Sequence, residues 1–264
     1  MIVWTVANQK GGVGKTTTVV SLAGILAQRG KRVLLIDTDP HASLTSYLDY
    51  DSDGLDATLY ELFQATRPTV ELVDKLTLKT KFDNISLLPA SITLATLDRV
   101  MGNREGMGLV LKRALLQVQD RYDYAIIDCP PVLGVMMVNA VAACDRILVP
   151  VQTEFLALKG LERMMKTFEI MQRSKKGGFK YTVVPTMFDK RTRASLMTLK
   201  SIKDQYGDAV WPSVIPIDTK FRDASLLHVP PSIYAPGSRG TYAYQTLLQY
   251  LDTLEKRIRL EVAQ

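Results

Sequence analysis

The chain has 264 residues, 47% of them hydrophobic, which is long for one small core but ordinary for a single α/β domain with a sizeable buried sheet. Lysine plus arginine exceed aspartate plus glutamate by 33 − 27 = 6, an excess compatible with a polyanionic partner without requiring one. Two cysteines, Cys129 and Cys144, exclude a disulfide framework and fit a reducing cytoplasm, and no run approaches the roughly eighteen apolar residues of a membrane span.

The run "IVWTVA" from Ile2 reads as the first strand and passes directly into a glycine-lysine loop, with no signal peptide before it. "TTTVVSLAGILAQRG" follows as a helix that opens on threonines and stops at Gly30, and "RVLLID" from Arg32 is the second strand. Asp51 to Pro68 reads as an irregular insert, because "DYDSDGLDA" collects acids and turn formers, with "LYELFQ" inside it as a candidate short helix. Further strands are expected in "ISLLPA" from Ile85, "DYAIID" from Asp123, "RILVPV" from Arg146, "YTVVPT" from Tyr181 and "VWPSVI" from Val210. Each is nearly continuous in apolar residues, as in a parallel sheet covered by helices on both faces. The expected fold is α/β, a doubly wound, mostly parallel sheet forming a single domain over residues 1–264.

The stretch "NQKGGVGKTTT", Asn8 to Thr18, departs from the usual phosphate-loop pattern of Gly, four residues and Gly-Lys-Ser/Thr, since Gln9 stands where the first glycine belongs. It carries instead a second lysine, Lys10. A strand, a glycine-rich turn and a helix N-terminus nevertheless aim backbone N–H groups and the positive end of a helix dipole at one spot. Gly11, Gly12 and Gly14 let the backbone curl around phosphate, Lys15 can reach the outer phosphates, and the Thr16 hydroxyl is placed to ligate Mg²⁺. A magnesium site also needs carboxylates to accept from its waters, and "VLLIDTDP" supplies Asp37 and Asp39 while "YAIIDCPP" supplies Asp128, all at strand ends.

Together "KGGVGKTT", "LLIDTDP", "YDYAIIDCPP" and "ILVPVQTEFLALKGL" resemble the ParA group of deviant Walker A ATPases, relatives of MinD, over almost the whole chain. "FDKRTRAS" and "VIPIDTKFRDAS" resemble that family's aromatic-Asp-Arg-Thr segment and its Ile-Pro loop near the nucleotide base. The resemblance implies an ATP hydrolase acting as a switch, with ATP and Mg²⁺ bound by Gly11, Gly12, Val13, Gly14, Lys15, Thr16, Thr17 and Pro216. It implies that Lys10 reaches across an ATP-dependent homodimer to the partner's phosphates, that Asp37 and Asp128 orient the waters of a metal held by Thr16, and that Asp39 positions the attacking water. The short N-terminus is read as the compact form, without the operator-binding domain of some relatives.

Two departures from the family pattern stand out. Its common Asp-Pro-Gln-Gly is here Asp39-Pro40-His41-Ala42, and its Arg-Asn after the Ile-Pro loop is Ile217-Asp218, which removes one DNA-contacting cation. His41 is read as either a proton-active group or a polar replacement for glutamine. Cations are dense from Arg173 through Lys203, against the single acid Asp189, and the resemblance implies nonspecific DNA binding by the ATP-bound dimer, with Arg191, Arg193, Lys220 and Arg222 as first candidates. Leu247, Leu251, Leu254 and Ile258 form a stripe that reads as a helix packed on the sheet, against a membrane-attaching tail. The expected place is the bacterial cytoplasm, on the nucleoid or at a pole, with an adaptor protein that stimulates hydrolysis. For the cargo the resemblance leans to members that place chemoreceptor arrays, beside the alternatives of chromosome or plasmid partitioning and MinD-like membrane positioning. Cys129 has no upstream cysteine to share an iron–sulfur cluster with, so both thiols read as inert and buried.

Overall fold

A computed structural model describes residues 1–97, 99, 106–172 and 178–262, with side chains as far as 256. Its centre is a sheet of seven strands in the order β3-β4-β2-β5-β1-β6-β7, made of β1 (Ile2–Val6), β2 (Val33–Asp37), β3 (Leu78–Lys79), β4 (Ile85–Leu88), β5 (Tyr124–Asp128), β6 (Arg146–Gln152) and β7 (Tyr181–Thr186). Every pairing is parallel except that of β3 with β4. The helices are α1 (Lys15–Gln28), α2 (Ser43–Tyr47), α3 (Leu59–Gln64), α4 (Val70–Leu76), α5 (Val110–Gln117), α6 (Val135–Ala143), α7 (Phe155–Gln172), α8 (Arg193–Tyr206), α9 (Lys220–Leu226), α10 (Pro231–Tyr234) and α11 (Arg239–Val262).

The uninterrupted apolar strands sort cleanly onto two faces. Leu34 and Ile36 of β2, with Ala125 and Ile127 of β5, join a core that includes Leu111, Met137 and Leu161 from α5, α6 and α7. Their sequence neighbours Val33, Leu35, Tyr124 and Ile126 join a second core with Leu22 and Leu26 of α1 and Tyr244, Leu247 and Leu251 of α11. Alternation with period two therefore feeds two apolar layers, which is why no polar face appears in the strand sequences. The stripe expected in the last helix is buried at Leu247 and Leu251 and partly buried at Leu254, while the side chain of Ile258 lies outside the described residues. Among the described residues no helix is long and apolar enough to cross a membrane.

"VWPSVI" is not a strand. Val210 makes an isolated bridge to Val183, and Trp211 and Ile215 donate backbone bonds to Val183 and Pro185, so the segment follows the edge of β7 without a continuous ladder. Pro212 between them has no N–H to give. The remaining strand is the two-residue β3, too short to leave a pattern in sequence. Inside the expected insert "LYELFQ" is α3, and its start is fixed by a capping box in which Thr58 and Glu61 exchange bonds across the first turn. Helix α1 ends at Gln28, and Gly30 takes the left-handed conformation expected of its stop.

Gly24 lies inside α1 against α10, and a Cβ there would stand 2.5 Å from Ser232 Oγ and 2.7 Å from Pro230 Cβ. Alanine in a helix interior ordinarily gains about 1 kcal/mol over glycine, whereas forced overlap in a packed core costs about 1–3 kcal/mol. Gly24→Ala is therefore expected to lower stability in chemical denaturation, and a gain would show that α1 and α10 are not in close contact.

Candidate functional site

Strand β5 lies between β1 and β2, with Val6 opposite Asp128 on one side and Asp37 opposite Asp128 on the other. This register brings the loop after β1 and both strand-end carboxylates to the same edge of the sheet. Asn8 is buried and stitches the loop down, donating from Nδ2 to the Pro150 carbonyl at 2.7 Å and accepting from the Lys10 amide at 2.9 Å. Val13 is fully buried, and its carbonyl accepts from Thr186 Oγ1 at 2.9 Å. Gly12 and Gly14 have φ of 72° and 91°, a conformation that costs any other residue strain. Gly14 caps α1 without a side-chain bond, which leaves the first-turn N–H groups of the helix directed at the loop's centre.

Lys15 is buried and donates to the carbonyl of Lys10 at 3.3 Å, so its ammonium folds back across the loop. Thr16 Oγ1 donates to Asp128 Oδ2 at 2.6 Å. The other oxygen, Asp128 Oδ1, is buried without a hydrogen-bond partner among the described residues. An orphaned carboxylate oxygen is costly unless something accounts for it. A hydroxyl and a carboxylate with a free lone pair, both hard oxygen donors, suit a magnesium ion that keeps most of its waters. Among the described residues there is no cluster of three or more His, Cys, Asp or Glu side chains that could hold a metal ion.

Asp37 is engaged differently. Its Oδ2 accepts from both the amide and the hydroxyl of Thr45, each at 2.8 Å, and its Oδ1 accepts from the Asp39 amide at 3.1 Å. Asp39 in turn accepts from the amide and Nδ1 of His41, both at 3.0 Å, so His41 sits on the proposed catalytic carboxylate with its ring largely in solvent. Ala42 adopts φ 51° at the position where the family pattern has glycine. Thr38 joins the two acidic loops, giving its amide and hydroxyl to the Asp128 carbonyl at 3.0 and 2.7 Å.

Lys10 points along its own chain, paired with Glu154 at the start of α7 and 3.5 Å from Gln152 Oε1. Gly160 of α7 lies beneath it, where a Cβ would stand 3.6 Å from Lys10 Cβ. On the other side of the loop a cleft of about 720 Å³ is bordered by Val13, Gly14, Thr17, Gln152, Met187, Pro216, Phe221 and Arg222, among others, a size and apolar character suited to a nucleoside. Thr17 and Pro216 both border this cleft. Of the residues that sequence reasoning missed, Glu154 and Thr38 lie within stretches already recognised as family-like, while Thr45 carries no distinguishing signal because polar bonding to a buried carboxylate leaves no periodicity.

The candidate DNA cations fall in two places. Arg191 and Arg193 stand at the start of α8, where Arg191 holds Asp189 in a bidentate pair at 2.9 and 2.8 Å and depresses its carboxyl to about 2. Lys220 pairs with Asp223 at 3.1 Å, and Arg222 borders the cleft as well as the surface. Arg173, Lys175 and Lys176 lie outside the described residues. Both cysteines are buried, and burial drives the Cys129 thiol well above its ordinary range, which keeps it inert.

Residues 1–181 match the family model described as an AAA domain. The chain is 36% identical over 243 residues to the sporulation initiation inhibitor protein Soj of Bacillus subtilis, with 92% of this chain and 94% of Soj covered. It is 35% identical over 254 residues to the chromosome partitioning protein ParA of Caulobacter vibrioides, with 95% and 94% covered. Among solved structures it is similar to cobyrinic acid a,c-diamide synthase from Mycobacterium smegmatis with bound ATP analog and magnesium, at TM-score 0.81 and 34% identity over 93% of this chain and 92% of that one. A complex of a Cyanothece McdA variant with ATP shares the fold at TM-score 0.84 and 21% identity, covering 96% of each chain.

Burial pushes Asp128 up to about 8, with the neighbouring Asp37 carboxylate adding to it, and burial also pushes Asp37 up to about 6, opposed by the Thr45 bonds. Both values exceed the ordinary 3.8, so the folded, ligand-free protein holds protons that the unfolded chain releases. Stability from this pair is complete below about pH 4 and is lost as pH rises through about 6 and 8. The thermal midpoint of the ligand-free protein is expected to fall over that window, and Asp128→Asn should flatten the upper part of the decline; parallel curves for the two proteins would contradict this reading.

Proposed function

The chain belongs to the ParA/MinD family of P-loop ATPases and hydrolyses ATP with Mg²⁺, and from that premise we propose that it is an ATP-gated dimerisation switch that positions a cellular cargo. The observation that carries this reading is the second loop lysine. Lys10 stands at the mouth of the site, yet its ammonium is satisfied by Glu154 of its own chain instead of serving the site beside it. A cation placed so close to the phosphate loop is available to a nucleotide bound by a second copy, and contacts that need two triphosphates make association depend on ATP.

In this scheme the Gly11–Gly14 backbone cradles the phosphates, Lys15 exchanges the Lys10 carbonyl for phosphate oxygens, and the nucleoside enters the cleft between Thr17 and Pro216. Thr16 and the free oxygen of Asp128 would hold Mg²⁺ and its waters. When bound, Mg²⁺ neutralises charge on the outer phosphates. Asp37 keeps one acceptor position on Oδ1 for the same water shell, and Asp39 orients the attacking water. Loss of the γ-phosphate then releases the loops that follow Asp37 and Asp128, and the dimer parts.

The ATP-bound dimer binds DNA through phosphate contacts from Arg191, Arg193, Lys220 and Arg222, and an adaptor protein accelerates hydrolysis. The names of Soj and ParA speak of sporulation and chromosome partitioning and support a DNA cargo, while the resemblance of "DTDPHASLTSYLDYDSD" and "IPIDTKFRDAS" to members that place chemoreceptor arrays supports a polar array. Fluorescence localisation with and without the chemoreceptors separates them. The name of the Mycobacterium smegmatis neighbour supports a second reading, ATP-driven amidation, which turnover stimulated by cobyrinic acid and glutamine, and not by DNA, would favour.

Light scattering tests the switch. Lys15→Ala is expected to lose nucleotide binding, Lys10→Ala to bind ATP as a monomer, and Asp39→Ala to accumulate as an ATP-bound dimer. Dimerisation of Lys10→Ala with ATP would remove the central claim. Replacing Arg191 and Arg193 together by glutamate should weaken DNA binding at low salt by about tenfold or more while sparing the dimer, and unchanged affinity would move the DNA surface elsewhere.

A further inference from the structure

The hydroxyl of Thr45 is fully buried and uses both of its capacities: it donates to Asp37 Oδ2 at 2.8 Å and accepts from the Ala90 amide at 3.0 Å. With the Thr45 amide also on Oδ2, and the Asp39 amide on Oδ1, the Asp37 carboxylate is bonded from three sides. These bonds join three separate pieces of chain at one point, namely the end of β2, helix α2 and the segment after β4. Asp128 presents the opposite pattern, one bond from Thr16 and one oxygen free. The two neighbouring acids are therefore held unequally, Asp128 loosely by one bond and Asp37 firmly by three.

We propose that Thr45 is a positioning residue for ATP hydrolysis, locking Asp37 so that the short loop from Thr38 to Ala42 holds Asp39 in place. The loop is tied at both ends. Asp37 Oδ1 takes the Asp39 amide at one end, and at the other Ala42 donates to the Asp39 carbonyl at 2.8 Å just before α2 brings Thr45 back to Asp37. Among the described residues the Asp39 carboxylate is held by the amide and ring of the exposed His41, both on Oδ1, and by no buried bond. Its location depends on the backbone, and the backbone depends on Asp37. Removing the Thr45 hydroxyl leaves the buried Ala90 amide without its acceptor and Asp37 with one bond fewer, and loosens the loop while leaving the phosphate loop, Lys15 and the nucleoside cleft untouched. A displacement of an ångström at a reacting group is sufficient to cost a large factor in rate.

The inference rests on the reading of Asp39 as the residue that orients water, and the experiment separates the two. Thr45→Val, Thr45→Ser and Asp39→Ala are compared with the wild type for steady-state hydrolysis, ATP affinity and Mg²⁺ half-saturation, with rates expressed per nucleotide-binding site so that misfolded protein does not count. Thr45→Val is expected to lower kcat by about tenfold or more, with ATP affinity and Mg²⁺ half-saturation within about twofold of wild type, and Thr45→Ser to restore the rate. Should Thr45→Val not fold, Thr45→Ala removes the same hydroxyl without burying a new methyl group. An unchanged kcat in the hydroxyl-deleted variant, a failure of Thr45→Ser to rescue, or a rise in Mg²⁺ half-saturation that accounts for the loss would each overturn the assignment, the last by showing that the hydroxyl acts through metal affinity and not through the placement of Asp39. Undiminished turnover in Asp39→Ala would instead sink the reading of Asp39, whatever the Thr45 variants do.

Discussion

The parallel register that seats β5 between β1 and β2 is the constraint from which the site follows. Because Val6 and Asp37 both stand level with Asp128, the phosphate loop and the two acids share one edge without a long connection having to place any of them. The register is itself secured by burial on both faces. A slip of one residue would send Ile36 and Ile127 into the layer that receives Leu35 and Ile126, exchanging two cores whose side chains are already fitted to different helices. Ligand sites at the carboxyl ends of parallel strands are thus a product of packing as much as of chemistry.

Within that frame the charged groups are arranged so that few are idle. Lys15 rests on a carbonyl and Lys10 on Glu154, while Arg191 rests on Asp189 and Lys220 on Asp223. The three ion pairs are weak enough to be exchanged, because pairs between partly exposed charges in high dielectric contribute little. Phosphate groups offer more charge than one carboxylate, so a polyanion can compete for such cations at small cost. The buried pair of Arg146 with Glu255 is of another kind, since it ties β6 to the last helix where little water reaches and has no such exchange to make.

How much of this was legible in the sequence depends on whether a feature leaves a local pattern. The helix after the phosphate loop, the capped helix at Leu59–Gln64 and six of the expected strand runs were visible because apolar runs and caps are written in neighbouring residues. "VWPSVI" reads as a strand by composition, but Pro212 interrupts its donors, and the ladder is decided by partners that composition does not register. The acids Asp37, Asp39 and Asp128 were visible as a set, yet the difference between Asp37 and Asp128 was not. That difference is made by Thr45, eight positions along the chain, and by Ala90, which follows a different strand.

Ala42 is the strained point of this arrangement. Its φ of 51° lies where an L-residue with a Cβ is disfavoured by about 1–2 kcal/mol, and it stands directly between Asp39 and the helix that returns to Asp37. A glycine at that position would rest there without penalty. With alanine, the loop is tensioned like a bent spring, and alternative shapes of residues 39–42 gain about five- to thirtyfold in relative weight over those of a glycine-bearing loop. One methyl group outside the phosphate loop thereby governs how firmly the backbone carrying Asp39 keeps its shape.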